Sequence, residues 1–504
     1  MFILNKDQLT FADEYTIKNE PIASIELMER AARACVTRIT KNLDSATPIF
    51  VFCGKGNNGG DGFAIARLLL ERNYNCKALV INYTPSFTED CQTNYNKLKE
   101  LKPEALFEIN SEDDFEKIKF TTDDLIIDAL LGTGLNKPLT GFLEIVVRFI
   151  NSNFLTVVSI DCPTGLFIDK ANSADDIVIH SNITLTFQYP KLSFLFSQNK
   201  YVVPQFEIIN IGLHADLEHL LKPKQYFVGK SDIKQIITKR TKFSHKGNFG
   251  HALIIAGSET MRGAAIISAN ACLRSGAGLL TIHSVSKTID ALANSVPEAM
   301  SSIDQNSHLI SELPNLEKYN VVAIGPGIGT DPETAAVIKK LLNYNSSSLV
   351  IDADALNILS ENKTWLSFLP PETILTPHPK EFDRLTEKHD TDFERYATAK
   401  HFALKHKVIL ILKGTYTCIC MPDGSSYFNS SGNSGLAKGG SGDALTGIIT
   451  GLIARGYTAP KAALIGVYIH GYAADLATKK ISKESVLASD VIDRLGKAFL
   501  KLED

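Results

Sequence analysis

Short apolar runs alternate with segments of helical spacing along the whole chain, and this alternation most limits the fold it can adopt. In the first half the runs are PIFVFC, CKALVIN, DLIIDAL and LTVVSID; in the second they are HALIIAG, GLLTIHS, NVVAIGP, SLVIDAD, TILTPH and VILILKG. Strand-like and helix-like stretches in turn are what a parallel α/β fold requires. Most of the runs end in, or lead straight into, Gly, Asp, Pro or His. Such groups then lie at the carboxyl ends of the strands, where open parallel sheets bind ligands.

The length of 504 residues predicts two or three domains, at roughly 150 residues each. The segment EHLLKPKQYFVGKSDIKQIITKR is charged, holds one Pro and lacks strand periodicity beyond QYFV. The boundary is therefore expected near residues 222–235, dividing the chain into domains 1–222 and 228–502. With 44% hydrophobic and 21% charged residues, the composition is that of a soluble globular enzyme with sizeable cores. A net charge of -4 without any basic block argues against nucleic acid or an anionic membrane as partner. No run approaches the roughly 18 apolar residues of a membrane helix. The start, MFILNKDQLTFADEY, lacks the basic and long apolar regions of a signal peptide, so a cytoplasmic protein is expected. The eight Cys are scattered, with no CxxC pairs; Cys418-x-Cys420 sits in an alternating strand pattern, and all read as buried thiols. The polar run Asn345-Ser346-Ser347-Ser348 reads as a plain loop.

Seven of the residues from Gly432 to Gly442 are Gly or Ser, and Asp443 with the apolar run ALTGIITGLIARG follows. Backbone N–H groups bared at a helix start form an anion site. A carboxylate at its mouth can take a proton from a hydroxyl while those N–H groups hold a phosphate. The plain alternative is a glycine-rich surface turn capped by Asp. The arrangement resembles the Gly-x-Gly-Asp anion hole of ribokinase-like phosphotransferases, with Asp443 as the base.

In the first half, Gly54 to Gly59 matches G-x-G-x-x-G between a strand and a helical segment. The second strand, however, ends near Asn82 and not at the acidic residue of a dinucleotide site, and no Walker Lys-Ser/Thr follows. The longer string GKGNNGGDG is more specific. With LMERAARA at 27–34, DALLGTG at 128–134 and DCPTG at 161–165, it resembles the YjeF N-terminal domain, the NAD(P)H-hydrate epimerase family, over about residues 1–215. The three loops lie at successive strand ends and can converge on one cleft. Asn58, Asp128 and Thr164 offer hard oxygen ligands suited to K⁺, and the resemblance implies a potassium site there, with Thr164 standing where the family usually has Ser. It further implies Asp161 as general base at the epimerised carbon. Asn57, Asn58, Gly59, Gly60 and Asp61 would contact the substrate, and Gly132, Thr133, Gly134, Leu135, Asn136, Lys137 and Pro138 would cradle its phosphates. Lys191, in FQYPKLSF, is read as a further polar contact. Two alternatives stay open: Asp128 and Asp161 could cap helices, and Asn57 and Asn58 could serve left-handed turn geometry. Relatives of this domain also act as binding scaffolds in RNA-decapping proteins, a reading that needs the acidic pair to be lost; here both are present.

In the second half, HKGNFGHALIIAGSETMRGAAIISANACLRSGAGLLTIHS reads as a strand, a glycine turn and a small-residue helix ending at Gly276. With GPGIG at 325–329, DADALN at 352–357, TPHPKEF at 376–382, KGTYT at 413–417 and the glycine-rich segment, it resembles the ADP-dependent NAD(P)H-hydrate dehydratase family from about 240 to 500. The resemblance places Ala264, Gly327, His378 and Asp443 around the hydrated nicotinamide nucleotide. Lys413, Gly414, Thr415, Tyr416, Thr417 and Gly442 would contact the phosphate donor. Lys413 reads as a mobile cation at a strand end, and Gly414 lets phosphate approach the backbone. His378, between two prolines, suits a fixed polar contact. Lys380 stands where the family commonly has Gly, so the charge on this rim differs.

These resemblances imply an N-terminal Rossmann-like three-layer sandwich and a C-terminal ribokinase-like α/β sandwich. They imply a fused repair enzyme that interconverts the R and S forms of NADHX and NADPHX, the 6-hydroxy hydrates of the reduced nicotinamide ring. It would dehydrate the S form at the expense of ADP, giving AMP and phosphate. K⁺ in the first domain, ADP as phosphoryl donor with Mg²⁺, and a homo-oligomeric state are the accompanying expectations. The alternative is a small-molecule kinase of the ribokinase superfamily fused to a nucleotide-binding scaffold. A third reading is a scaffold that binds without turnover.

Overall fold

A computed structural model describes residues 1–153, 155–344 and 348–503. The chain divides into two compact units, Phe2–Pro223 and Lys224–Asp504 together with Met1. The strands of the first unit are β1 (Ile49–Cys53), β2 (Cys76–Ile81), β3 (Leu106–Ile109), β4 (Leu125–Ala129), β5 (Thr156–Ile160), β6 (Ile183–Phe187) and β7 (Phe206–Ile209). They form one sheet in the order β3-β2-β1-β4-β5-β6-β7, parallel throughout. Side chains alternate across each strand. Val51, Cys53, Ala78, Val80, Ile127 and Ala129 therefore enter one core with residues of helices Ser24–Ile39 and Asn57–Glu71. Phe50, Phe52, Leu79, Ile81 and Ile126 enter the opposite core with helix Phe142–Ser152. Both faces are covered, which is the expected three-layer sandwich. β3, β6 and β7, which the apolar runs do not reveal, are short strands carrying Glu or Thr on one face toward the margins of the sheet. The order reverses between β1 and β4, and the crevice at such a switch point is where an open sheet takes a ligand.

The second unit contains β8 (Gln225–Val228), β9 (His251–Ile255), β10 (Leu279–Ser284), β11 (Met300–Ile303), β12 (Val321–Ile324), β13 (Ser348–Ile351), β14 (Ile374–Leu375), β15 (Ile409–Leu412), β16 (Cys418–Cys420) and β17 (Ser426–Asn429). Their order is β11-β10-β9-β12-β13-β14-β15-β16-β17-β8. The sheet is parallel from β11 to β15, turns antiparallel through β16 and β17, and closes with β8 parallel to β17. The run QYFV thus forms an edge strand of this sheet. Of the expected loop at 345–348, Asn345 to Ser347 lie outside the described residues, while Ser348 opens β13.

Helix Ser441–Ala454 is buried from Ala444 onward, against helix Arg262–Arg274. Gly447 and Gly451 make that approach possible, since a Cβ there would come within 2.2 and 2.4 Å of the carbonyl oxygens of Ser268 and Cys272. The Ser268 hydroxyl also donates to the Asp443 carbonyl at 3.1 Å. The start of the glycine-rich helix is therefore held by packing along its whole length. All eight cysteines are buried free thiols, as expected. Among the described residues no helix is long and apolar enough to cross a membrane.

Candidate active sites

In the first unit the loops after β1 and β4 press together where only glycine fits. A Cβ on Gly54 would lie 2.0 Å from the Leu130 carbonyl oxygen, and one on Gly59 would lie 1.9 Å from that of Gly54. Gly59→Ala should accordingly cost the first unit about 1–3 kcal/mol, as forced overpacking does. A thermal midpoint for this unit equal to the parent's would contradict that packing. Immediately beside Gly59, the Asn58 amide is buried, and neither its oxygen nor its nitrogen has a hydrogen-bond partner. Asn57 stays exposed at the start of the same helix.

Asp128 ends β4 fully buried. Its carboxylate accepts from Thr164 N at 2.9 Å, Thr164 Oγ1 at 2.6 Å, Ser159 Oγ at 2.8 Å and Leu130 N at 3.3 Å. Burial raises its pKa against the lowering by these donors. Asp161, after β5, sits in the left-handed region with φ 62°, a conformation Asp tolerates better than most residues. Its Oδ1 accepts from Lys191 Nζ at 2.9 Å and from Phe187 N at 3.3 Å. Neither aspartate caps a helix. Gly132 draws the site together: a Cβ there would lie 3.4 Å from both Asn58 Oδ1 and Asp161 Oδ2.

Lys191 departs from the expected substrate contact. It is 1% exposed, and besides Asp161 it donates to the Phe187 and Tyr189 carbonyls at 3.3 and 3.2 Å, so all three of its protons are directed inward. Within the loop from Gly132 to Pro138, which also holds Thr133, Leu135 and Lys137, Lys6 Nζ donates to the Gly134 carbonyl at 2.9 Å and binds Asn136 Oδ1. Sequence reasoning misses Lys6 and Asp13, both on helix Lys6–Asn19, because an amphipathic helix gives a charged residue no distinguishing signal. Asp13 is exposed to solvent, and surrounding protein and then the Asp161 charge raise its pKa. Asp61 is buried and has no hydrogen-bond partner among the described residues; burial, then Asp161, raises its pKa far above the usual carboxylate range.

In the second unit a cavity of about 690 Å³ opens beside helix Ser441–Ala454. Lys413, Gly414, Thr415, Thr417, His378 and Gly442 line it, whereas Tyr416 turns its ring toward Phe227, 6.0 Å away. Lys413 is no mobile cation. Its Nζ donates to Asp352 Oδ1 at 3.0 Å and lies 3.8 Å from Glu381 Oε2. Burial lowers its pKa, but the Asp352 and Glu381 charges outweigh it and the net shift is upward. Asp352 itself is buried, with Thr446 Oγ1 donating to Oδ2 at 2.7 Å. The pair stands where the anion site begins, since a Cβ on Gly442 would lie 3.5 Å from Lys413 Nζ.

Asp443 occupies the first turn of the helix, which starts from Gly440 at φ 86°. Burial and the nearby Asp352 raise its pKa to about 6, against the lowering by Lys413. Ala264 lies one turn before Ser268, the residue that holds the Asp443 backbone. A Cβ on Gly327 would come 3.0 Å from that of Ala264, so these two predicted residues touch. His378 caps helix Pro379–Leu385, its Nδ1 accepting from the N–H groups of Lys380 and Glu381 at 3.1 and 3.3 Å. Burial lowers its pKa, which leaves a neutral, fixed ring. Lys380 is exposed on the rim. Sequence reasoning also misses Asp352, Glu381 and His470. His470 lines the cavity 3.4 Å from Ser441 Oγ, and burial takes its pKa down to about 4. Nothing in VYIHGYAADL distinguishes it from a core histidine. Among the described residues no group of three or more His, Cys, Asp and Glu could hold a metal ion.

Each unit therefore brings a glycine-rich helix start and acidic side chains to the carboxyl ends of parallel strands, the architecture of a nucleotide-handling α/β enzyme with two sites. Comparison with known proteins agrees. The family described as YjeF-related protein N-terminus matches residues 24–193, and that described as NAD(P)H-hydrate dehydratase matches residues 252–497. The bifunctional NAD(P)H-hydrate repair enzyme Nnr of Moorella thermoacetica is 32% identical, the alignment covering 100% of this chain and 98% of that one. The enzyme of the same name from Escherichia coli K12 is 31% identical over 93% of this chain and 88% of its own. The ADP/ATP-dependent NAD(P)H-hydrate dehydratase of Bacillus subtilis, co-crystallised with ATP/Mg²⁺, is 30% identical over 55% of this chain and 99% of that one, with a TM-score of 0.47. The chain belongs to the bifunctional NAD(P)H-hydrate repair enzymes.

Proposed function

We propose that the first unit interconverts the R and S forms of NADHX and NADPHX, and that the second dehydrates the S form using ADP. The observation that carries this reading is Asp443, a carboxylate with pKa about 6, following directly on the Gly439–Gly442 helix start beside Lys413. Asp443 takes the proton of the C6 hydroxyl, whose oxygen attacks the terminal phosphoryl group of ADP. Backbone N–H groups at the helix start and Lys413 hold that phosphoryl group, because charge developing there is best met by fixed donors. The new ester is a good leaving group. Phosphate departs with push from the ring nitrogen, loss of the C5 proton completes the ring, and NAD(P)H, AMP and phosphate result. Ala264, Gly327 and His378 would border the nicotinamide nucleotide, with Gly414 to Thr417 along the donor. Mg²⁺ would enter on the phosphates, as it usually does.

The chemistry of the first cleft suits K⁺. Asn58 offers an amide oxygen with no partner, and Asp128 is a buried carboxylate that makes no ion pair among the described residues. Asn58 would supply a ligand outright; Asp128, whose oxygens already accept four hydrogen bonds, would contribute chiefly its charge, with Thr164 completing the set. A bound K⁺ would supply positive charge for the substrate's phosphates. One charged ligand among three favours K⁺ over Mg²⁺. Asn57 to Asp61 and Gly132 to Pro138 would surround the substrate, with Asp161 as the base.

Purified protein given mixed R and S hydrate with ADP or ATP should generate absorbance at the NADH wavelength, and a stable phosphorylated product without it would favour the kinase reading instead. Epimerisation should be faster in K⁺ than in a bulky organic cation, and Asp128→Ala should erase that difference. A parent protein indifferent to the cation, with no ion found crystallographically between Asn58, Asp128 and Thr164, would rule the site out.

A further inference from the structure

The epimerase cleft holds more carboxylates than one base requires. Asp161, Asp61 and Asp13 act on one another electrostatically, and the one buried cation among them, Lys191, is bound to Asp161. Asp61 is 8% exposed, on the first turns of helix Asn57–Glu71, and has no hydrogen-bond partner among the described residues. Of the charges around it, Asp161 acts most strongly, ahead of Asp13 from helix Lys6–Asn19 and Asp90 from helix Glu89–Leu101. The Cys35 and Cys91 thiols also feel Asp61, and burial keeps both protonated. Among the described residues no lysine or arginine forms a hydrogen bond or ion pair with Asp61. Asp161 is its opposite: Lys191 and Phe187 N fix its Oδ1, while its Oδ2 faces the Gly132 loop.

We propose that Asp61 and Asp161 work as an unequal carboxylate pair in epimerisation, Asp161 accepting protons and Asp61 donating them, with Lys191 as the positioning residue that decides which is which. Two neighbouring carboxyl groups in environments this different divide into an acid and a base. The inference rests on the epimerase reading above. In the substrate, C6 carries both the hydroxyl and the ring nitrogen N1. Asp161 takes the hydroxyl proton, the C–O bond becomes a carbonyl, the C6–N1 bond breaks, and the electron pair left on N1 takes the proton of Asp61. Rotation about C5–C6 turns the other face of the aldehyde toward N1. The bond then re-forms as N1 returns its proton to Asp61 and Asp161 returns the other to oxygen. No atom is gained or lost and no oxidant is needed.

The test uses the full chain, following R-to-S conversion across pH. An acid must be protonated to act, so the parent's kcat should fall as pH rises past the raised pKa of Asp61. Asp61→Asn should lower kcat about 10²-fold, change KM less than about threefold, and remove that alkaline limb. Lys191→Met, which frees the Asp161 carboxylate from its fixed partner, should lower kcat with little change in KM, and Lys191→Arg should restore part of it. Asp61→Asn with parental kcat or with the alkaline limb retained overturns the pair. A parent chain that does not epimerise at all defeats the epimerase reading itself.

Discussion

Asp443→Asn is expected to lower the rate of S-hydrate dehydration by on the order of 10² to 10⁴, the usual cost of removing a positioned general base, and to leave epimerisation unchanged. The two reactions are assigned to different compact units, so one substitution should separate them. The substitution is nearly isosteric and lies on the first turn of a helix whose burial begins one residue later, so the fold should persist. The parent should show the matching pH dependence. A base works only when deprotonated, and the carboxyl of Asp443 has its pKa raised to about 6 by burial and Asp352. Dehydration should therefore rise with pH through about 6, level off above it, and be lost on acidification. An Asn variant that dehydrates within about threefold of the parent, against the far larger loss expected for a base, would remove Asp443 from the role.

Lys413→Met should have the largest combined effect on stability and activity. The lysine is bound to Asp352, whose side chain is 2% exposed, and Glu381 lies behind it. Breaking a buried pair by removing one partner leaves an uncompensated charge, at about 3–5 kcal/mol. The second unit should melt at a clearly lower temperature, and dehydration should fall at least about 10²-fold if, as proposed, Lys413 is the cation that meets the donor's phosphate. The double variant Lys413→Met/Asp352→Asn separates the two effects. Without either charge it should regain much of the stability but none of the activity. A Lys413→Met protein as stable as the parent would mean that the ion pair carries little of the fold.

Much of the site is legible in the amino-acid sequence, for particular reasons. Gly54 and Gly59 stand out because a backbone that must pass another backbone excludes every side chain, and glycine runs at strand ends announce that need. Asp443 is legible through its place directly after such a run. The charged partners are not. Lys413 reads as a free strand-end cation, yet Asp352 lies 61 residues away in sequence and meets it because β13, β14 and β15 are neighbours in the sheet. Lys191 likewise reaches Asp161 across 30 residues, and Lys6 reaches Gly134 across 128.

The amino-acid sequence by itself determined the alternation of strands and helices, the two glycine-rich helix starts and the acidic residues beside them. These depend on local backbone geometry and on the spacing of apolar residues, which a short window of residues encodes completely. Tertiary structure alone decided which charges are buried together, that a lysine binds Asp161 while among the described residues none binds Asp61, and that burial lowers the pKa of His378 and His470. Electrostatic character belongs to a charge's surroundings in space: removal from water and the sign of its nearest neighbours set it, and both come from segments far apart along the chain.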